Sequence, residues 1–340
     1  MIIFLHKDRH SYTHTSLIGE EGFGEIQCKN YSWILSKNKI PKATYIFTDR
    51  ERMDLWELRV YSALFQHLKN SGKGYKVIND PFKMMNRRSL LRALYTKKIN
   101  DFNAYSLTEK KSPKRFPVFL RREHDHAKPF TGLLNNELEL EEALAKLRQE
   151  REPDDGVLIT EFCAEPVEGT LFRKLSAYQI GSETLFYNCV HEHGWLVKYG
   201  TKNSASNALY EEEQEMILSN AFEKEISKAF EVANIEYGRV DFGLVNGKAQ
   251  IYEINTNPMT SQPKDHPNPN REKNQVLAWE KYRKALSAID TTDPSGPFAP
   301  KFTHPDLYIP KKPLKLLFKN PLRFIKLSCC KDASKPVIRR

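Results

Sequence analysis

The segment from Arg239 to Pro258 constrains the fold more tightly than any other stretch of the chain. Two runs of alternating apolar and polar residues, Arg239–Val245 and Ala249–Ile254, flank a Val-Asn-Gly-Lys connection. Asn246-Gly247 supplies the left-handed backbone positions of a tight hairpin turn, so the runs are expected to pair as antiparallel neighbours. Strand alternation puts Arg239, Asp241 and Gly243 on one face, and Glu253 and Asn255 on one face of the partner. Two readings fit that face. One is a solvated hairpin surface, with charges alternating against Val240, Phe242, Ile251 and Ile254. The other is a set of hard oxygen ligands, Asp241, Glu253 and Asn255, of the kind Mg²⁺ requires, with phosphate oxygens and water completing the octahedron. Arg239, one pleat repeat from Asp241, could reach the same phosphate.

The rest of the chain divides by texture. Ile2 to Leu5 reads as a buried strand, followed by a loop in which Gly19, Gly22 and Gly24 are turn residues. Ala43–Thr48 is a second strand. Asp54–Leu68 is a helix, with apolar residues at spacings of three and four. Tyr75–Ile78 is a third strand, ended by Asn79-Asp80-Pro81. Residues 1–80 therefore read as a small α/β domain. Further on, Ser89–Tyr95 and Glu137–Glu150 are helical. Pro117–Leu120, Val157–Phe162, Phe172–Ile180, Leu185–Val190 and Trp195–Tyr199 are strands, and Glu211–Ala233 is one long amphipathic helix. The irregular order predicts an α+β domain with antiparallel sheets rather than a doubly wound parallel sheet. From Asp290, six prolines up to Pro313 mark a linker.

Charge follows the same division. The net charge is +10 over 340 residues, and a basic balance suggests a polyanionic partner. Yet Ala299–Arg340 carries 11 Lys+Arg against 2 Asp+Glu, while the other 298 residues carry 42 against 41. The excess is confined to the tail. Within 311–327, apolar Leu314, Leu317, Phe318 and Ile325 lie beside Lys315, Lys319, Arg323 and Lys326. This pattern suits an amphipathic helix on an anionic membrane surface, and it suits equally a helix folded back on the body or an unstructured tail. Cys329-Cys330 is a potential acylation site. The segment matches no nucleic-acid module. Five cysteines without a CxxC pair point to a reducing compartment. The four apolar residues after Met1 are too few for a signal peptide, and no run approaches a membrane span. The expected location is cytoplasmic, with a peripheral membrane role for the tail.

Over roughly residues 75 to 260 the chain resembles the ATP-grasp superfamily, the group that includes D-alanine–D-alanine ligase and glutathione synthetase. Asp241 and Glu253-Ile-Asn255-Thr-Asn257-Pro258 match the family's last hairpin, and Arg239 is similar to the arginine that faces the γ-phosphate. Val157-Leu-Ile-Thr-Glu161-Phe162-Cys163-Ala164 looks like the adenine-holding hinge. The resemblance implies that Glu161 and the backbone of Phe162 and Ala164 read the adenine edge. It implies that Glu168 accepts the ribose hydroxyls and that Lys198 contacts phosphate. It places Arg88 and Arg121 where the family usually has lysines, with Arg87 and Arg122 as neighbouring alternatives. An arginine fork is not interchangeable with a lysine point charge. The family's glycine-rich phosphate loop corresponds to Glu123–Gly132, which holds one glycine. His124 and His126 there lack a third metal ligand at motif spacing, so a polar lid is the better reading.

The implied architecture is an ATP-grasp fold, two α+β subdomains clasping ATP, preceded by a small α/β domain. The pre-ATP-grasp domain would cover 1–80 and the ATP-grasp domain 81–290, its smaller nucleotide-clasping subdomain about 115–165. Residues 291–340 would be linker and tail. The implied cofactors are ATP and Mg²⁺, or Mn²⁺ in its place. The implied reaction activates a carboxylate as an acyl phosphate for attack by an amine or a thiol, releasing ADP and phosphate. No protein nucleophile is needed, and Cys163 reads as a small hinge residue. Alternatives within the resemblance are a kinase-like phosphotransferase and a nucleotide-binding scaffold with weakened catalysis. Arg9 and Arg173 could bind an anionic substrate and Asn257 follows the metal ligands. His6, His10, Ser11 and Lys174 lie in similar positions.

Overall fold

A computed structural model of the chain describes residues 1–124, 127–290, 293 and 295–307. The basic segment 311–327, Cys329-Cys330 and His126 lie outside the described residues. Met1–Phe302 packs as one unit, and Thr303–Arg340 forms a second.

Five consecutive buried residues, Ile2–His6, make β1. A strand buried on both faces belongs inside a parallel sheet. β1 pairs in parallel with β2 (Ile26–Asn30) and, on its other side, with β4 (Ala43–Phe47). Between these lie α1 (Tyr31–Leu35) and the two-residue β3 (Lys39–Ile40). Helix α2 (Leu55–Lys69) follows, opened by a capping box between Asp54 and Glu57, and β5 (Tyr75–Ile78) closes the sheet in the order β2-β1-β4-β5. The sequence missed β2 because its residues after Ile26 are only partly buried and show no alternation.

The next unit begins with α3 (Arg87–Thr96), capped by Asn86. It continues through β6 (Ala104–Ser106), β7 (Val118–Arg122), α4 (Glu137–Gln149) and β8 (Val157–Glu161). These strands form an antiparallel sheet, order β6-β8-β7, packed on α4 through Val118, Leu120, Leu140, Leu147 and Ile159. β9 (Pro166–Glu168), β10 (Leu171–Ile180), β11 (Glu183–His193), α5 (Asn207–Ser219), α6 (Glu223–Ala233), β12 (Tyr237–Val245) and β13 (Lys248–Asn255) build the larger sheet. Its order is β11-β10-β12-β13, with β9 on β10. One face is covered by α3 and α6 through Leu90, Leu94, Ile226 and Phe230, against Val240, Phe242 and Ile251. The expected α+β architecture with antiparallel sheets is therefore present.

Three elements differ from expectation. The long helix over 211–233 is two helices, because Asn220 and Phe222 both adopt left-handed backbone. Asn220 instead ties the break to β11, accepting from Phe186 N (2.8 Å) and donating to Thr184 O (2.7 Å). Trp195–Tyr199 is not a strand. The N–H groups of Lys198, Tyr199 and Gly200 all donate to Glu192 Oε1, at 3.1, 2.6 and 2.6 Å, which leaves none of them for a sheet ladder. Finally, α7 (Pro269–Ala288) went unread because its buried stripe, Asn274, Ala278, Trp279, Tyr282, Ala285 and Leu286, holds a single Leu and no Ile. Helix α7 packs on β10 and β11, and its Trp279, Tyr282 and Leu286 share one buried cluster with Ile2, Ile46, Tyr178 and Tyr237. The stretch read as linker is anchored too, since β14 (Ala299–Pro300) pairs with β3.

One side chain joins the parallel sheet to the larger one. Asn79 is fully buried with φ +71°, a conformation Asn tolerates better than most residues. Its Nδ2 donates to Phe47 O (3.1 Å) and Tyr237 O (2.8 Å), and its Oδ1 accepts from Glu236 N (2.8 Å) and Tyr237 N (3.0 Å). Asn79→Ala would strand these backbone groups and is expected to lower stability by about 3 kcal/mol, read as a lowered urea midpoint with unchanged slope.

His14 is buried on the same seam. It stacks on Phe4 at 4.1 Å, and its Nε2 lies 3.0 Å from Tyr237 Oη, which is 2.9 Å from Tyr282 Oη. Burial, with a smaller push from His6, lowers the His14 pKa to about 3. The unfolded chain takes up this proton near pH 6.5 and the folded one does not. Stability is therefore full above pH 6.5 and falls with pH below it, at up to about 1.4 kcal/mol per pH unit from this group. Chemical denaturation between pH 7 and 5 should show that slope, and His14→Gln should remove His14's share.

Candidate active site

The hairpin turn forms as expected, with Asn246 and Gly247 at φ +50° and +74°. Its register places Asp241 opposite Glu253 and Arg239 opposite Asn255. The pairing shifts between Asp241 and Phe242, so that Phe242 pairs with Ile251 and Tyr252 is the extra residue. Ile251 enters the core, while Tyr252 lines the cleft and donates to Cys163 O at 3.0 Å. Gly243 makes room for that ring, since a Cβ there would lie 2.1 Å from Tyr252 Oη.

A cleft of about 420 Å³ runs between the three-stranded sheet and the larger sheet. Arg121, Glu161, Phe162, Ala164, Arg173, Lys198, Arg239, Asp241, Glu253, Asn255 and Asn257 all line it. Arg9, Arg88 and Glu168 do not. Arg9 sits exposed in the turn after β1 with φ +71°. Glu168 is exposed on β9, 3.5 Å from Ser206 Oγ. Arg88 lies near Glu109 (3.7 Å) and Glu123 (3.9 Å). Its neighbour Arg87 reaches inward, donating to Arg122 O and Glu123 O (3.1 and 2.9 Å) and pairing with Glu253. Helical rotation of about 100° per residue decides between the two arginines, and sequence spacing could not fix that phase.

The cleft floor is a lattice of cations and carboxylates. Asp241 is buried, and its Oδ1 accepts from Ser176 Oγ and Arg239 Nε, both at 3.0 Å. Its Oδ2 is 3.2 Å from Lys174 Nζ, which also donates to Lys198 O at 3.0 Å. Glu253 faces Arg87 and, at 3.8 Å, Arg121. Arg173 pairs with Glu212 at 2.7 Å. Burial alone disfavours the charged form of Arg239, but Asp241, Tyr178 and Glu253 outweigh it, and its pKa is raised above the ordinary arginine value. The sequence signal for Lys174 was its i, i+2 alternation with Ser176 on β10, whose strand neighbour is β12.

Asp241, Glu253 and Asn255 fit a hard dication in kind, with two carboxylates and an amide oxygen on paired strands. The carboxylate oxygens it would use are held here by Lys174, Arg239 and Arg87, so binding would displace part of this lattice. Among the described residues, no group of three or more His, Cys, Asp or Glu is placed to hold a metal ion.

The other end of the cleft is aromatic. Phe119 and Phe162 approach Trp195 at 5.0 and 5.9 Å between ring centroids, and Phe172 lies 6.4 Å from Phe162. The expected hinge passes this end, but its polar groups are largely engaged. The Glu161 carboxylate accepts from Asn103 N, Lys114 N and Tyr105 Oη, each at 2.9 Å. Phe162 N donates to Pro117 O (2.9 Å), and Phe162 O accepts from Arg115 Nη2 (2.6 Å). Glu161 thus braces the small sheet rather than presenting its side chain to the cleft. Burial raises the pKa of the Cys163 thiol, as suits a hinge residue rather than a nucleophile.

No protein-family model matches the chain, and no curated protein matches it significantly. Among solved structures it is similar to a D-alanine–D-alanine ligase from Bacillus anthracis complexed with ATP, at 14% identity over 84% of this chain and 98% of that one, with a TM-score of 0.46. It is similar to a D-Ala:D-Ser ligase from Enterococcus faecalis at 12% identity over 84% and 98%, TM-score 0.44. It is also similar to an L-amino acid ligase from Bacillus licheniformis at 11% identity over 75% and 66%, TM-score 0.37.

The two neighbouring arginines separate cleanly in a stability measurement. Arg87→Ala leaves Glu253 and two backbone carbonyls short of a donor and is expected to cost about 2 kcal/mol in urea denaturation. Arg88→Ala removes only long surface contacts and should change stability by less than about 0.5 kcal/mol.

Proposed function

We propose that the chain is an ATP- and Mg²⁺-dependent ligase that joins a carboxylate to an amine and releases ADP and phosphate. The observation that carries this reading is the floor of the cleft. Arg121, Lys174 and Arg239 outnumber Asp241 and Glu253 there, in a site whose far end is aromatic. A cation-rich floor suits a polyphosphate, and an aromatic end suits a base. In this reading Asp241, Glu253 and Asn255 hold Mg²⁺, which when bound neutralises charge on the transferring phosphate. Arg121 and Lys198 contact phosphate oxygens, and the base lies by Phe162 and Ala164. Arg173 and Asn257 face the substrate.

The chemistry needs positioning more than it needs a protein nucleophile. A substrate carboxylate oxygen attacks the γ-phosphorus, and the bond to ADP breaks. The amine lone pair then attacks the acyl carbon, phosphate departs with its oxygen, and the amine proton is lost to solvent. Arg239, held protonated at the floor, stabilises the charge that develops during transfer.

A second reading, a nucleotide-binding scaffold without turnover, is favoured by the engagement of both Asp241 oxygens with Arg239, Ser176 and Lys174. Titration of the full chain with Mg-ATP, followed by an ADP-release screen over carboxylates with and without amines, decides between them. The ligase binds Mg-ATP, loses at least tenfold in affinity in Asp241→Ala/Glu253→Ala, and releases ADP only when both substrates are present. Equal binding by the wild type and the double variant would sink the metal assignment. Binding without ADP release under any condition supports the scaffold, and a phosphorylated carboxylate without amine supports a phosphotransferase.

A further inference from the structure

The end of the cleft away from the hinge is lined by Tyr12 and Met259, which are 54% and 53% exposed. They are held in place by the backbone around them. Thr13 O accepts from Thr260 N (2.9 Å) and Thr260 Oγ1 (2.8 Å), Ser16 Oγ donates to Thr260 O (2.8 Å), and Thr13 Oγ1 lies 2.6 Å from Asn257 Oδ1. Four contacts thus stitch the loop after β1 to the segment after β13, and each segment presents one large apolar side chain to solvent. Arg52, which also lines the cleft, is compensated by Asp49 (2.9 Å) and Glu51 (2.7 Å). On the loop after β11, Leu196 and Tyr199 also line the cleft and are 38% and 80% exposed.

We infer that the carboxylate substrate carries an aromatic or branched apolar group, and that Tyr12 and Met259 are the platform on which this group lies. The inference rests on the ligase reading and adds the substrate class to it. Tyr12 meets His10 edge-on at 6.3 Å, yet it and Met259 leave about half of their surface in water, and that apolar surface is recovered when an apolar ligand covers it. The cations of the floor draw the carboxylate inward, past Asn257 toward Arg239, which directs the rest of the molecule outward across Tyr12 and Met259. A methyl side chain would leave both in water. An aromatic or branched one covers them.

The test uses the full chain loaded with Mg-AMP-PNP and titrated calorimetrically with phenylalanine, leucine and alanine. Phenylalanine and leucine should bind at least tenfold more tightly than alanine. Tyr12→Ala and Met259→Ala should each weaken phenylalanine binding at least fivefold, and Tyr12→Phe should restore it. The Kd for Mg-AMP-PNP, measured on the same samples, serves as the control for an intact nucleotide site. Alanine binding as tightly as phenylalanine overturns the inference, as does phenylalanine affinity that neither variant moves while the nucleotide still binds. A chain that binds no nucleotide overturns the ligase reading instead. In that event, phenylalanine binding to the nucleotide-free chain, and its loss in Tyr12→Ala, still decides the platform.

Discussion

The Asn79 amide is the contact on which the remaining architecture depends. Its oxygen and nitrogen hold the ends of two strands in different sheets, Phe47 at the close of β4 and Glu236–Tyr237 at the start of β12. An amide that satisfies four backbone groups away from water fixes position as well as energy, because no neighbouring register leaves all four paired. β12 carries Arg239 and Asp241 two and four residues beyond Tyr237. Holding its first residue against the parallel sheet therefore sets where the floor of the cleft lies relative to Tyr12 and the loop after β1. The buried line from His14 through Tyr237 to Tyr282 continues the same seam into α7.

The floor itself is an electrostatic compromise. Two carboxylates and at least four cations share a partly buried surface, and each carboxylate lies against more than one positive group. A polyanion entering such a lattice would compete with Asp241 and Glu253 for the same cations. It is also a surface in which charge is held in place before a ligand arrives, which is the condition for electrostatic stabilisation of a transferring group. Arginine contributes a planar fork, and Arg87 uses its own to join Arg122 O and Glu123 O at the end of β7 to Glu253 on β13.

Legibility in the sequence followed burial and period. β1, β4 and the β12–β13 hairpin were readable because their apolar pattern is strong and their boundaries are marked by turn chemistry. α7 was not, because an Asn-Ala-aromatic stripe at helical spacing carries little hydrophobic contrast. The loop over 195–199 misled in the opposite direction: Trp-Leu-Val-Lys-Tyr reads as a strand, but Glu192 collects the N–H groups of Lys198, Tyr199 and Gly200, which are then not free for a ladder. At the site, alternation placed residues along each strand, the bulge at Tyr252 set Asp241 opposite Glu253, and the choice between Arg87 and Arg88 turned on helix phase. The hinge shows a third case. Glu161 stands where the pattern put it, but its carboxylate is engaged by Asn103, Tyr105 and Lys114, partners distant in sequence.

The sequence alone determined that Arg239 and Asp241 share one face of their strand and Glu253 and Asn255 one face of its partner. The bulge at Tyr252, which only the structure shows, brings the two pairs to the same face, since an Asn-Gly turn with unbroken alternation would set Asp241 opposite Tyr252. The sequence determined too that the positive excess lies in the tail and not in the body. Only the tertiary structure decided what surrounds that face. Lys174 meets Asp241 through the β10–β12 pairing, Arg87 meets Glu253 through the packing of α3, and Tyr12 meets the segment after β13 through Thr13 and Thr260. Each is a contact between residues more than sixty positions apart. Local pattern fixes which way a side chain points along its own element, but which element it then faces depends on how the sheets pack.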